Sequence, residues 1–309
     1  MERGSRAFEK QEKTERDLIM NQTIKEIGKK VVGLFPDKLW LSCYFRKRTG
    51  YKMDWKNPKT FNQKLQWLKV YDRKPLYTTL VDKYQVKKYV AEKIGEEYII
   101  PTLGVWDGFD EIDFDSLPDQ FVLKCTHDSG GLAIVRDKAK FDKEKERKQF
   151  KLALSRNPYS VTREWPYKNV KPRIIAEQYM EDNTTHELRD YKFFCFDGMV
   201  GFFKIDFDRY VAHRANYYDR GGNLLPFGEI VCPPCFEQKL DMPIRLSKMI
   251  SMAEKLATDS IFLRVDFYEV NGQVYFGEIT FFPASGMGPF VPDEWDRKLG
   301  EWIQLPKKK

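Results

Sequence analysis

Hydrophobic and polar positions change texture several times along the chain. After a charged beginning, residues 8–50 place Leu18, Ile19, Ile24, Ile27, Val31, Leu34 and Phe35 at helical spacing, with Lys25, Lys29 and Lys30 between them. This pattern predicts a basic amphipathic helix. Residues 60–94 keep the helical period at Phe61, Leu65 and Leu68, then at Val81, Tyr84, Val86, Tyr89 and Val90. The run Tyr98 to Trp106 is strand-like around Pro101, which suits an edge strand or a link into a new domain. From about residue 120 the alternation becomes that of strands, predicted at 121–125, 132–136, 173–178, 191–196, 199–206, 262–269 and 273–280, with helices near 143–155 and 243–258. Asp197-Gly198 and Asn271-Gly272, each between two apolar runs, signal tight hairpins. The fold class is α+β, with antiparallel hairpins and few βαβ alternations, so a doubly wound nucleotide-binding fold is disfavoured.

Charge refines this picture by its position. The chain of 309 residues carries a formal +7, but residues 1–50 hold 12 Lys and Arg against 7 Asp and Glu, and Lys307 to Lys309 close the chain. Residues 51–306 are then near neutral, so no long basic groove for nucleic acid is expected. Five scattered cysteines (Cys43, Cys125, Cys195, Cys232 and Cys235) fit a reducing cytoplasm, and there is no signal peptide or apolar run of spanning length. Cys232-Pro-Pro-Cys235 lacks the second pair of a zinc site and reads as free thiols in a loop.

Two stretches carry chemistry. Phe121 to Val135 is a hairpin with Lys124 near the end of its first strand and Thr126-His-Asp-Ser-Gly-Gly131 as its loop. A buried lysine is costly unless an anion meets it, and a polar loop ending in glycines presents backbone N–H groups to phosphate. The lysine precedes the loop and a strand follows, so this is a flap and not a Walker loop; a purely structural turn is the competing reading. The second stretch pairs Phe262-Leu-Arg-Val-Asp266 with Gly277-Glu-Ile-Thr280 across the Asn271-Gly272 turn. Acids near the ends of both strands suit Mg²⁺, which takes one or two carboxylates plus phosphate oxygens. A strict two-residue turn sets Gly277, not Glu278, opposite Asp266, so a one-residue offset, such as a bulge at the turn glycine, is needed to unite the acids.

Asp82-Lys-Tyr-Gln-Val-Lys87, the strand lysine with its glycine loop, Ile174-Ile-Ala-Glu-Gln-Tyr-Met180, Arg264-Val-Asp266 and Glu278-Ile-Thr280 come in the order of the motifs of ATP-grasp ligases. More narrowly, Asn62-Gln-Lys-Leu-Gln-Trp-Leu68, Tyr71-Asp-Arg73, Arg163-Glu-Trp-Pro-Tyr-Lys168, Asp190-Tyr-Lys-Phe-Phe-Cys-Phe196, Glu294-Trp-Asp296 and Leu299-Gly300 resemble the teichuronopeptide-biosynthesis, TupA-like ATP-grasp family over roughly residues 40–306. The resemblance implies two α+β subdomains, over 96–189 and 190–309, clasping ATP, preceded by a mainly helical region over 1–95. It implies nucleotide contacts from Lys87, Lys124, Ser129, Gly130 and Gly131. It also implies an adenine hinge at Glu177, Tyr179 and Met180, with Glu177 facing the exocyclic amine. Asp190 is the implied ribose acid, with Glu181 or Glu187 as alternatives. Asp266, Glu278 and Thr280 are the implied ligands of Mg²⁺ or Mn²⁺, Thr280 replacing the asparagine usual in ATP-grasp enzymes. Arg264 and Lys124 are the implied charge stabilisers at the reacting phosphate, with Ser285 and Gly286 as donors from the final loop.

The activity so implied is carboxylate–amine ligation through an acyl phosphate, joining an amino acid or amine to a hexuronic acid of a cell-surface polysaccharide. The acceptor would be the glycan or its lipid-linked or nucleotide-linked precursor. His127, His213 and Arg214 are candidate substrate contacts, and Trp165, Tyr167, Tyr217 and Tyr218 stand open between sugar stacking and ordinary packing. The basic N-terminal helix would bring such an enzyme to the inner face of an anionic membrane. The competing class is a sugar-binding or glycosyltransferase-like protein that keeps the shape without the ligase chemistry.

Overall fold

The computed structural model describes residues 35–183, 188–208 and 212–306. The predicted basic helix, but for its last position Phe35, and the terminal lysines lie outside the described residues, as do Glu187 and residues 209–211. Among the described residues no helix is long and apolar enough to cross a membrane.

The described residues open with four helices: α1 (Asp37–Thr49), α2 (Phe61–Tyr71), α3 (Leu76–Val81) and α4 (Val86–Ile94). Thr60 starts α2 with a capping box, its hydroxyl accepting from Gln63 N–H while the Gln63 side chain accepts from Thr60 N–H. A four-stranded antiparallel sheet follows in the order β1 (Thr102–Trp106), β4 (Ile174–Gln178), β2 (Phe121–Cys125), β3 (Leu132–Val135). The Pro101 strand is indeed at an edge. One face, with Phe121, Leu123, Ala133, Val135 and Ile174, packs on Phe150 and Ala153 of α5 (Lys143–Leu154). The opposite face carries Val122, Lys124, Leu132, Ile134 and Glu177.

The second sheet has the order β10 (Gln273–Thr280), β9 (Phe262–Val270), β5 (Asp190–Phe196), β6 (Met199–Phe207), β7 (Arg214–Asp219), with every pairing antiparallel. Both predicted hairpin turns are present, with Asp197, Gly198, Asn271 and Gly272 at positive φ. Leu263, Val265, Phe193 and Cys195 face α7 (Leu246–Ala257). On the other face the sheet is divided. Phe196, Phe202 and Phe262 pack against Phe61 of α2 and Trp302 of α8 (Glu294–Trp302), so the N-terminal helices share one core with the second sheet. Next to this apolar half lies a half made of charged side chains. A two-stranded ribbon, β8 (Gly228–Glu229) with β11 (Phe290–Val291), flanks it.

The alternation does not predict β7, because Arg-Ala-Asn-Tyr-Tyr-Asp has no clean period of two. Pairing with β6 makes the strand and buries Tyr217 and Tyr218 completely or nearly so. Tyr217 packs on Phe227 and Phe194, and Tyr218 stacks on Phe203. Both rings are therefore core, which corrects the sugar-stacking alternative for this pair.

Candidate active site

The two sheets meet over a cleft of about 140 Å³. The first sheet contributes Val122, Lys124, Leu132, Ile134 and Arg136, the connecting segment contributes Glu177 to Glu181, and the second sheet contributes Asp190, Asp206, Phe207 and Tyr268. Leu132 and Ile134 are more than 40% exposed while their neighbours Ala133 and Val135 are buried. β3 thus turns an apolar wall to the cleft, the surface a flat heterocycle needs.

Behind this wall the Glu177 carboxylate binds two cations, Lys87 at 2.5 Å and Lys124 at 2.6 Å. Burial pushes its pKa up, but the two ammonium groups outweigh burial and hold it below the ordinary value. Lys124 is thus partnered inside the protein. This changes the expected role of Glu177: its two oxygens are taken by lysines, and the Gln178 N–H donates to Pro101 O, which leaves Tyr179 and Met180 as the hinge residues that line the cleft. Lys87 also donates to Ile100 O and Thr102 Oγ1 and is not part of the cleft lining. Asp190 and Glu181 both line the cleft; Asp190 pairs with Lys192 at 2.9 Å, and Glu181 accepts from Tyr179 Oη at 2.8 Å.

The acids of the β9–β10 hairpin are brought together. Glu278 pairs directly with Asp266 and Thr280 with Arg264, because the register shifts between Phe276 and Glu278. The offset lies at Gly277, not at the turn glycine, since Gln273 still pairs with Val270. A side chain at Gly277 would meet Asp266 O at 3.1 Å, so a residue without Cβ makes the bulge there. Arg264 clamps the Asp266 carboxylate with two bonds of 2.6 Å and reaches Glu278 Oε1 at 2.9 Å and Thr280 Oγ1 at 3.2 Å. Burial drives the Asp266 pKa up to about 6 against the pull of Arg264 and Lys192. Burial also pushes Glu278 up, but Lys83 and Arg264 prevail and keep it below its ordinary value.

Four groups absent from the expectation complete the site: Lys83, Lys192, Lys204 and Asp206. Lys192 donates to Asp206 at 2.6 Å and lies 3.9 Å from Asp266. Lys204 bridges Asp206 and Glu229 at 3.3 Å each. For Lys192, Lys204 and Asp206 the signal was in the sequence, as charges at a period of two inside otherwise apolar strands. Lys83 donates to Asp128 O at 2.8 Å, tying the glycine loop to this cluster.

The loop itself is built differently from the expectation. Asp128 Oδ1 accepts from the N–H groups of Gly130 and Gly131, so this acid is the clasp of the turn. His127 is buried behind it with Nε2 3.1 Å from Arg156 O, and burial lowers its pKa; it is not part of the cleft lining. Ser129 and Gly130 are exposed and line a second cavity of about 380 Å³ with Arg156, Ser160 and Thr162. Gly131 is buried, its Cα against Cys125, whose Sγ an added Cβ would meet at 2.3 Å. His213 lies 3.5 Å from Cys232 Sγ and 3.7 Å from Asp206, while Arg214 beside it is half-buried at the start of β7. Cys232 and Cys235 are free thiols, and Cys235 is locked by paired backbone bonds to Asn216.

Ser285 and Gly286 sit in the turn Pro283–Gly286, where Ala284, Ser285 and Gly286 have φ of 46°, 55° and 60°. Side chains rarely adopt this region, and such strain persists only where surroundings enforce it. Here fully buried Lys69 donates to Ser285 O and Thr162 O at 2.8 Å, and Gln66 donates to Gly286 O at 2.6 Å.

A family model described as TupA-like ATPgrasp matches residues 63–304. The chain is a member of the TupA-like ATP-grasp family, and its two antiparallel sheets about a cleft are the ATP-grasp fold. Among solved structures it is similar to D-alanine–D-alanine ligase from Helicobacter pylori, at 15% identity and a TM-score of 0.42, over 82% of this chain and 69% of that one. It is similar to a RimK domain ATP-grasp protein from Sphaerobacter thermophilus DSM 20745 at 11% and 0.41, over 74% and 69%. For N5-carboxyaminoimidazole synthetase from Staphylococcus aureus the values are 14% and 0.37, over 65% of this chain, which spans only 44% of that protein. At these values the likeness is one of fold alone. No curated protein matches significantly.

Proposed function

We propose that the protein is an ATP-dependent carboxylate–amine ligase working through an acyl phosphate. The observation that carries this reading is the joined cluster of Arg264, Asp266, Glu278 and Thr280 beside Lys192 and Lys204, next to an apolar-walled cleft. Leu132, Ile134, Tyr179 and Met180 would take adenine, and the lysines the phosphates. Asp266, Glu278 and Thr280 suit Mg²⁺ or Mn²⁺. Among the described residues no group of three or more His, Cys, Asp or Glu is placed to hold a metal, so a cation here shares its shell with phosphate oxygens. When bound, the cation neutralises phosphate charge; Arg264, Lys192 and Lys204 hold the transferring group, and the glycine loop excludes water. The family membership supports a uronic-acid glycan, or its lipid- or nucleotide-linked precursor, as the carboxylate.

The test is ADP release from MgATP with panels of uronic acids and amines. ADP that requires both partners is the expected result. ADP that needs the carboxylate alone would make the protein a kinase, and none with any pair would favour the binding-protein reading.

The shift of Asp266 gives a pH dependence. An acid whose folded pKa is raised favours the folded state at low pH, and that contribution is lost as pH rises through about 6. Cation binding runs the opposite way, because it needs the carboxylate. Mn²⁺ affinity of the nucleotide-free protein, followed by electron paramagnetic resonance, should climb as pH rises through about 6. A flat profile would remove Asp266 from the ligand set.

A further inference from the structure

A cavity of about 600 Å³ lies between the end of α1, the start of α2, the β8–β11 ribbon and the start of α8, and it shares no lining residue with the nucleotide cleft. Its size is that of a small-ligand site. The ribbon is the wall between this cavity and the charged cluster. Glu229 turns its carboxylate to Lys204, while the next residue, Ile230, extends the ribbon through its N–H to Pro289 O and lines the cavity. Successive side chains of an extended chain point to opposite faces, so cluster and cavity stand back to back.

The floor of the cavity is fixed. Phe45 and Phe290 are buried, the Asn62 side chain donates to Gly288 O at 2.8 Å, and Asp296 accepts from Asn62 N–H at 2.9 Å. The rim is open. Tyr51, just after the glycine that ends α1, is 62% exposed, and the side chains of Arg48, Lys52, Asp293 and Arg297 hold no ion pair or hydrogen bond among the described residues. This lining selects a chemistry. Three cations, Arg48, Lys52 and Arg297, stand among three acids, Asp293, Glu294 and Asp296, so the cavity has no net charge to draw a phosphate. Covering so many ionic groups with a hydrocarbon ligand would be costly. A polyhydroxylated ring suits both facts. Each hydroxyl donates and accepts, and is satisfied by a carboxylate beside a guanidinium, while the C–H face of the ring packs on an exposed aromatic.

We propose that this cavity binds a sugar residue of a carbohydrate chain, with Tyr51 as its stacking platform and Asp296 and Arg297 as partners of its hydroxyls. The assignment deepens the ligase reading and rests on it for the identity of the chain. The reacting sugar would enter the charged cluster on one side of the ribbon, and a sugar further along the same chain would occupy the cavity on the other. A contact so far from the reacting bond holds substrate and transition state equally, and therefore acts on KM and not on kcat.

The experiment is calorimetric titration of the full chain with hyaluronan tetrasaccharide, which alternates a uronic acid with an N-acetylhexosamine, and with tetraglutamate, an acidic peptide. The tetrasaccharide should bind, the peptide should not, and Tyr51→Ala and Arg297→Glu should each weaken the tetrasaccharide at least fivefold. No binding of the tetrasaccharide, equal binding of the peptide, or full affinity in either variant would overturn the assignment. Both positions are exposed; if circular dichroism shows one variant to be unfolded, Arg48→Ala replaces it under the same threshold. ADP release from MgATP with glucuronate and amines separates the two readings. Turnover without tetrasaccharide binding removes this site alone. Tetrasaccharide binding that the variants lose, without turnover on any acceptor, removes the ligase reading and leaves a carbohydrate site. Where the tetrasaccharide is turned over, Tyr51→Ala should raise its KM at constant kcat, and a fall in kcat at constant KM would overturn the remote contact.

Discussion

Asp266→Ala should lower ATP turnover by about a hundred- to a thousandfold, the usual effect of removing one charged group from a preorganised phosphoryl-transfer site. The expectation follows from position. Asp266 is 2% exposed, stands opposite Glu278 through the bulge at Gly277, and holds both arms of the Arg264 guanidinium. Its loss removes a proposed metal ligand and also frees Arg264 from the geometry in which it would meet a phosphate. It leaves a buried guanidinium half-paired as well, which costs on the order of 3–5 kcal/mol. Turnover must therefore be compared at a temperature where thermal melting shows both proteins folded. Asp266→Asn keeps the volume and should be as inactive while melting closer to wild type. Full activity in Asp266→Ala and in Glu278→Ala would overturn the assignment of this hairpin.

Glu177→Ala should be the most destabilising single change in the first sheet, by about 3–5 kcal/mol, because two lysines then lose their counter-charge in one step. The side chain of Lys87 is 12% exposed and that of Lys124 is 23% exposed, so neither reaches bulk water without rearrangement. The double variant Lys87→Met with Glu177→Gln should recover part of the loss, since it removes a charge of each sign. Chemical denaturation at neutral pH measures both. The carboxyl is held below its ordinary value, so its contribution is present above the unfolded pKa and fades as pH falls through the folded one. A Glu177→Ala protein as stable as wild type would mean that the triad is solvated and that the cleft wall is not tied to β4 by charge.

Periodicity located nearly every strand because a strand buried on one face must alternate, and the alternation is written in the residues themselves. It missed the two-residue strands Gly228–Glu229 and Phe290–Val291, and it missed Arg214–Asp219, whose buried positions include alanine and asparagine, and whose strand exists through its pairing with β6. The paired acids Asp266 and Glu278 were legible for a similar reason: charges inside apolar strands have few structural uses. Lys192, Lys204 and Asp206 carried the same signal. Their meaning became visible only when β5, β6 and β9 were set side by side, with Lys192 next to Asp266.

What the sequence by itself determined is therefore local: strands, hairpin turns, the amphipathic order of the helices, and which charged residues stand in buried strands. Which charge answers which is a matter of partners far apart in the chain. Lys124 looked like half of a phosphate site, yet 53 residues later Glu177 supplies its counter-ion, and Lys87 shares it. Asp128 looked like an acid misplaced among phosphate donors and proved to be the clasp of its own turn. Ser285 and Glu164, 121 residues apart, meet only because Lys69 and Gln66 hold a strained turn against α2. Buried charge is compensated through space, and only the tertiary structure decides which pairs form.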